Sequence, residues 1–318
     1  MAEATSPIDP SQTLGFLLAA FLRSRKLKGR RQGTIDAYTL AARELHDYLL
    51  KELDADNIQL ADRRVIEDFL IDYMVGRSTT TANKTFRQLR AWFNWMWKED
   101  LIATNPFQGR KRVEAPQVQY RAKAGFTTPE AKAIIRNAEE DIFESGELGW
   151  RGVRDRAILL VLYDTGLRAT EVIMMTIEGL SLNTGLFEVP GKGGKFHRRH
   201  LGAASIEAIK RYLRRLHAVG ISSGTLWRNH AGYNLTRSGL YRMCMRRATA
   251  AGVMDGNPHR WRYTHGEILE DLGWPEEIIM AEMGHSTLSV SRHYRESAIR
   301  RKALKQHEQQ SPADLLVQ

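Results

Sequence analysis

Only one stretch of this sequence has the punctuation of paired strands, and it lies late in the chain. Residues 186–190 and 196–201 are short runs on either side of Gly191-Lys192-Gly193-Gly194. Two such runs joined through glycines read as a β-hairpin, because glycine accepts the backbone angles of a tight turn. Most other patterned segments repeat at i, i+3, i+4 and i+7, the spacing of one helix face. One hairpin among so many helical patterns implies a mainly α fold with a small β-sheet.

The first hundred residues carry no strand pattern. Leu14, Leu17, Leu18, Phe21 and Leu22 mark a first amphipathic helix. Tyr38, Ala41, Leu45 and Leu49 mark a second over residues 34–53, and residues 65–74 read as a third. Ser78-Thr79-Thr80-Thr81 caps a fourth that runs to about Lys98. In it Phe86, Leu89, Phe93 and Trp97 share one face, and Lys84, Arg87 and Arg90 lie on another. Asn105-Pro106 stops it. Residues 108–125 are polar and read as a linker. Thr127-Thr128-Pro129-Glu130 then signals a helix start, with a capping threonine, proline and an acid in the first turn. Residues 154–164 form an apolar helix ending at Gly166, and further helices are expected over 205–219, 236–251, 260–272 and 275–282.

Charge narrows the partner. Lys and Arg number 47 against 37 Asp and Glu, a net charge of +10, which points to a polyanion and first to nucleic acid. Cys244 is the lone cysteine, so no internal disulfide is possible. The chain does not open on a cationic-then-apolar signal, and its apolar runs fall short of membrane length. An intracellular soluble protein with no membrane partner is expected.

Four local motifs carry possible chemistry, and each has an ordinary structural explanation when taken alone. Arg168 follows a glycine-ended helix in Thr165-Gly166-Leu167-Arg168-Ala169-Thr170-Glu171, with Glu171 near enough to orient it or simply to pair with it. Lys192 sits in the glycine turn, where it could reach into a groove or be an exposed turn lysine. His259 and Arg262 are three apart at a helix start, so they share a face. Gly284-His285 is followed nine residues later by Tyr294, which could equally be a capping histidine and a buried tyrosine.

Taken in order, Arg168, Lys192, His259, Arg262, His285 and Tyr294 resemble the catalytic set of the tyrosine recombinases, the phage integrase family that includes the Xer and Cre proteins. The resemblance spans the second half of the chain, and the helical first half is more loosely similar to the family's core-binding domain. It implies a tail at residues 1–10, a helical, SAM-like DNA-binding domain at 11–107, a linker at 108–125, a mixed α/β catalytic domain at 126–300 and a tail at 301–318. It implies that Tyr294 attacks a DNA phosphodiester and forms a 3′-phosphotyrosine link, with Lys192 as general acid and Glu171 in support. The arginines and histidines would stabilise the charge that builds on phosphate, with no cofactor and no metal. The implied partners are double-stranded DNA with an inverted-repeat core site and three further copies of the chain, as a homo-tetramer on DNA and a monomer or dimer when free. The implied location is the cytoplasm, on the nucleoid.

Candidates for DNA contact are the basic cluster Arg23, Arg25, Lys26, Lys28, Arg30 and Arg31, the Lys84, Arg87 and Arg90 face, Lys195, and Arg237, Arg242, Arg246 and Arg247. The sequence departs from the family pattern in two places. Tyr263, Thr264 and His265 follow Arg262, where the family often has a histidine first. Arg198-Arg199-His200-Leu201 stands where the family has an apolar strand end, and reads either as added phosphate contacts or as a charged edge strand. Leu315-Leu316-Val317 is an apolar end to a polar tail, expected to dock on a neighbouring protomer. Two other readings are a type IB topoisomerase-like enzyme and a non-catalytic DNA-binding derivative. The compact helical domain disfavours the first and the complete six-residue set disfavours the second.

Overall fold

The structure, a computed structural model, describes residues 13–118, 124–144, 146–190 and 196–284. Lys192, Lys195, His285, Tyr294 and both expected tails lie outside these residues. The chain divides into two compact units, Met1–Arg121 and Ala122–Gln318.

The first unit is built from α1 (Leu14–Leu27), α2 (Gln32–Leu53), α3 (Arg63–Met74) and α4 (Thr79–Lys98). Side chains close open N-terminal N–H groups of α3 and α4: Asp62 accepts from Val65 N at 2.9 Å and Ser78 from Thr81 N at 3.2 Å. The other three helices all pack on α4. Phe86, Leu89, Trp92, Phe93 and Met96 bury its inner face, and each large apolar side chain buried contributes about 1.5–3 kcal/mol. Trp97, expected on that face, is 42% exposed; Trp92 and Met96 complete the stripe instead. Ordered packing runs past residue 107, since Val113 is buried in this core and Asn83 donates to the Pro116 carbonyl at 2.8 Å.

The second unit holds α5 (Thr128–Glu140), α6 (Gly146–Thr165), α7 (Ala169–Ile173), β1 (Leu186–Pro190), β2 (Phe196–His200), α8 (Ala203–Ala218), α9 (Arg237–Ala250), α10 (Pro258–Asp271) and α11 (Glu276–Met283). Thr127 and Glu130 form the capping box of α5. The central helix is α6, against which α5, α8 and α10 pack, with Ala157, Ile158, Leu159, Val161 and Leu162 fully buried. Strands β1 and β2 pair antiparallel, with Leu186 opposite His200 and Pro190 opposite Phe196. Leu180 forms a single bridge to Phe187 of β1, Thr176 forms a separate one to Thr225, and neither was legible as a strand. The fold is mainly α with a small β-sheet. Among the described residues no helix is long and apolar enough to cross a membrane.

One buried carboxylate ties α6 to α9. Asp155 is fully buried and accepts from Arg154 Nη2 at 2.6 Å, Arg247 Nε at 2.9 Å and Arg246 Nη2 at 2.8 Å. Arg247 also donates to Asp141 and to the Asn137 side chain. A buried carboxylate is tolerable only when its lone pairs are met in this way.

Candidate active site

α6 must stop abruptly for Arg168 to leave it. Gly166 does this with φ +57, the left-handed conformation that favours glycine at a helix end. A Cβ at this position would come within 2.7 Å of the His265 ring, so any side chain here would force the two segments apart. The chain then extends through Leu167, and Arg168 stands just before α7. Glu171, in the first turn of α7, accepts from the Arg168 backbone N–H and from Arg168 Nη1, both at 2.8 Å. One carboxylate thus fixes both ends of the residue. The Arg168 side chain remains 45% exposed.

Arg262 comes from α10. Pro258 occupies the first turn, and Asn257 caps it by accepting from the backbone N–H groups of His259 and Arg260. His259 is exposed at this positive helix end, and its ring lies 5.1 Å from that of Tyr263. One turn on, Arg262 is 2% exposed. It donates through Nη1 to the Gly166 carbonyl at 2.6 Å and through Nη2 to the Met283 carbonyl. Another face of α10 anchors the segment before α5. Thr264 accepts from Phe126 N at 2.7 Å, Glu267 accepts from Gly125 N, and the Arg260 guanidinium lies 4.1 Å from the Phe126 ring centre.

The two arginines meet at the end of α11. Gly284 ends that helix at φ +59, and its carbonyl accepts from Arg168 Nη2 at 3.1 Å. A Cβ on Gly284 would lie 3.3 Å from Arg199 Nη2 and 3.7 Å from Arg168 Nη1. Segments that sequence order separates by about a hundred residues therefore converge on the Met283-Gly284 turn. The next residue in the chain is His285.

His265 supports this junction from beneath. Its Nδ1 donates to the Tyr163 carbonyl at 3.1 Å, and its Nε2 is buried without a hydrogen-bond partner. Burial pushes its pKa down to about 4, and the positive charges of Arg262 and Arg199 push the same way. The imidazole is therefore neutral at pH 7 and adds no charge beside the arginines.

The family model described as "Phage integrase family" matches residues 126–301. The chain belongs to the phage integrase family. It is similar to the tyrosine recombinase XerC of Leptospira interrogans serovar copenhageni, 26% identical over 292 residues and covering 91% of each chain. It is also similar to the tyrosine recombinase XerD of Shewanella oneidensis, 26% identical and covering 90% of this chain and 92% of that one. In fold it resembles the XerH site-specific recombinase bound to a palindromic difH substrate, with TM-score 0.71, 20% identity and coverage of 86% and 79%. A lambda integrase tetramer bound to a Holliday junction gives TM-score 0.69, 18% identity and coverage of 90% and 78%.

Within this tyrosine recombinase the basic candidates fall into distinct settings. Arg23, Lys26, Lys28, Arg30 and Arg31 are exposed at the end of α1 and in the turn after it, whereas Arg25 is half-buried with its guanidinium 4.8 Å from the Phe21 ring centre. Lys84, Arg87 and Arg90 are exposed on α4. Arg237 and Arg242 are exposed on α9. Arg247 is only 4% exposed and is held in the Asp155 cluster, so it presents no charge to solvent. Arg246, 48% exposed, is anchored to the same carboxylate. The alternation of buried positions explains Arg247: Leu240, Met243, Cys244 and Ala248 put it on the inner face of α9.

Sequence reasoning missed the place of Arg199. It is neither a free edge charge nor a solvent-facing cation, since its side chain is 10% exposed and Nη1 donates to the Ala281 carbonyl at 3.2 Å. Register would have found it. Arg199 stands opposite buried Phe187, and directly opposed residues of an antiparallel pair share a face. Its neighbour Arg198 points the other way and pairs with its cross-strand partner Glu188 at 3.0 Å, an exposed pair.

Proposed function

We propose that this tyrosine recombinase cleaves and rejoins DNA strands at specific sites through a 3′-phosphotyrosine intermediate, acting as a homo-tetramer on two duplexes with inverted-repeat core sites. One observation carries the reading: Arg168, between α6 and α7, and Arg262, on α10, both donate to the Met283-Gly284 turn immediately before His285. A guanidinium has five donors in a planar fork that matches phosphate oxygens. A non-bridging phosphate oxygen is a stronger acceptor than a carbonyl, so a phosphodiester at this turn takes over donors from both forks.

The reaction then runs as follows. The Tyr294 oxygen attacks phosphorus, and its proton passes to His259 or to water. The new bond is Tyr294 oxygen to phosphorus; the bond that breaks joins phosphorus to the 5′-oxygen. Lys192 delivers a proton to that oxygen as it leaves. Arg168, Arg262 and His285 stabilise the extra negative charge of the five-coordinate transition state. A 5′-hydroxyl attacks the phosphotyrosine in the reverse sense, so resealing consumes no nucleotide. The two-duplex tetramer is supported by likeness in fold to a lambda integrase tetramer that was captured on a Holliday junction. The basic faces on α1 and α4 supply affinity through counterion release.

The test is covalent capture on a nicked suicide duplex, read by denaturing gel. The wild-type chain forms a protein–DNA adduct, and Tyr294→Phe binds the duplex but forms none. An adduct with the Phe variant would move the nucleophile elsewhere, Tyr263 first.

A further inference from the structure

β2 follows the segment that holds Lys192, and its fourth residue is Arg199. What sets this arginine apart from Arg168 and Arg262 is the set of groups that holds it. Its side chain is 10% exposed, whereas that of Arg168 is 45% exposed. It reaches off its strand to the last turn of α11. There Nη1 donates to the Ala281 carbonyl at 3.2 Å and stands 3.7 Å from Glu282 Oε2. A cation suits this position, because the C-terminal end of a helix carries partial negative charge. Its Nε is buried with no hydrogen-bond partner, so the fork is held by what its Nη atoms reach.

Those atoms reach the turn on which the site converges. A Cβ on Gly284 would meet Arg199 Nη2 at 3.3 Å and Arg168 Nη1 at 3.7 Å. Two guanidinium groups thus flank one glycine, each balanced by its own carboxylate, Glu282 for Arg199 and Glu171 for Arg168.

We propose that Arg199 is a positioning residue for strand cleavage: it clasps β2 to the last turn of α11 and so holds the Met283-Gly284 turn where Arg168 and Arg262 meet. It acts through Gly284 and does not touch the DNA. The inference rests on the recombinase reading above.

The test uses the full chain and three variants. Arg199→Met keeps the apolar stem and removes the charge and donors. Arg199→Lys keeps the charge and one donor. Glu282→Gln weakens the clasp from the other side and leaves the arginine in place. Single-turnover covalent capture, single-site gel shift at several salt concentrations and the melting temperature are measured on each. Arg199→Met captures DNA on the order of 10- to 100-fold more slowly, the usual cost of a displaced reacting geometry. Glu282→Gln slows capture in the same direction by less, and Arg199→Lys recovers most of the rate. Affinity and its salt slope stay at wild-type values. Should Arg199→Met fail to fold, Glu282→Gln decides. Wild-type capture rates in both Arg199→Met and Glu282→Gln overturn the proposal. So does a salt slope lowered by about one unit in Arg199→Met, which would make Arg199 a phosphate contact. If the wild-type chain itself captures no DNA, the recombinase reading has failed, not the clasp.

Discussion

Arg168 Nη2 donates to the carbonyl of Gly284, a residue 116 positions further along the chain, at 3.1 Å. The bond joins the segment that follows α6 to the end of α11, and each of these helices ends on a glycine in the left-handed conformation. Gly166 lets Arg168 leave its helix, and Gly284 turns a carbonyl towards it.

Gly284→Ala tests that geometry. A left-handed backbone costs an alanine roughly 1–2 kcal/mol. The added Cβ would also lie 3.3 Å from Arg199 Nη2, closer than such contacts normally allow. Covalent capture should slow on the order of 10- to 100-fold while single-site binding holds. Capture at the wild-type rate would mean that the turn tolerates displacement.

Glu171 orients the same arginine through two bonds of 2.8 Å. Glu171→Ala removes both, and capture should fall about tenfold or more, the scale of one lost charge-assisted contact of about 1.5–3 kcal/mol. The two bonds end on different carboxylate oxygens, so Glu171→Gln keeps one acceptor and should lie between. Equal rates for all three proteins in a single-turnover assay would show that Arg168 needs no carboxylate to hold it.

Much of this was legible in the sequence, for a physical reason. Helix periodicity, Ser78 before its threonines, and Thr127 three residues ahead of Glu130 are local signals, and local signals survive in one dimension. The pairing of Arg168 with Glu171 is also local. What stayed hidden is long-range burial. Arg247 looks like a surface cation until α6 brings Asp155 beneath it, and Arg199 looks like an edge charge until α11 ends beside it. His265 reads as one more histidine until Gly166 leaves room for its ring.

Asp155 makes the ion cluster a stability element. Asp155→Ala leaves Arg154, 5% exposed, buried without its carboxylate, and leaves Arg247 with Asp141 alone. Breaking a buried pair from one side costs about 3–5 kcal/mol, so the denaturant midpoint should fall steeply. Arg246→Ala, at a side chain 48% exposed, should cost no more than about 1 kcal/mol. If Asp155→Ala costs no more than Arg246→Ala, solvent compensates the arginines.

His265 predicts a loss of stability in mild acid. Its pKa is about 4 in the folded protein against 6.5 for an ordinary histidine. Above pH 6.5 both states hold a neutral ring and the group contributes no slope. As pH falls from 6.5 towards 4 the unfolded chain binds a proton that the folded one refuses. Unfolding free energy then drops by about 3 kcal/mol in total from this group. His265→Asn keeps a donor for the Tyr163 carbonyl and cannot titrate. Denaturation curves between pH 7 and pH 4 should fall less steeply for the variant; parallel curves would place the acid sensitivity elsewhere.

The last prediction concerns the outer face of α4. Lys84, Arg87 and Arg90 are exposed, while Phe86 and Leu89 between them are buried. Steps of three residues set the three cations in a row about 9 Å long, matched to a few consecutive phosphates. A solvated helix face would look the same, so burial cannot decide and salt must. Each phosphate contact releases counterions and steepens the fall of affinity with salt by about one unit of log–log slope. Replacing all three by alanine should therefore weaken binding to any duplex and flatten that slope by about three units. The effect should not depend on duplex sequence, since backbone contacts carry none. The Arg90 guanidinium lies 5.6 Å from the Phe86 ring centre, a contact worth about 0.5–1 kcal/mol, so the melting temperature should fall only slightly. A slope unchanged from wild type would return these three residues to solvent and leave the α1 cluster as the main basic face of this unit.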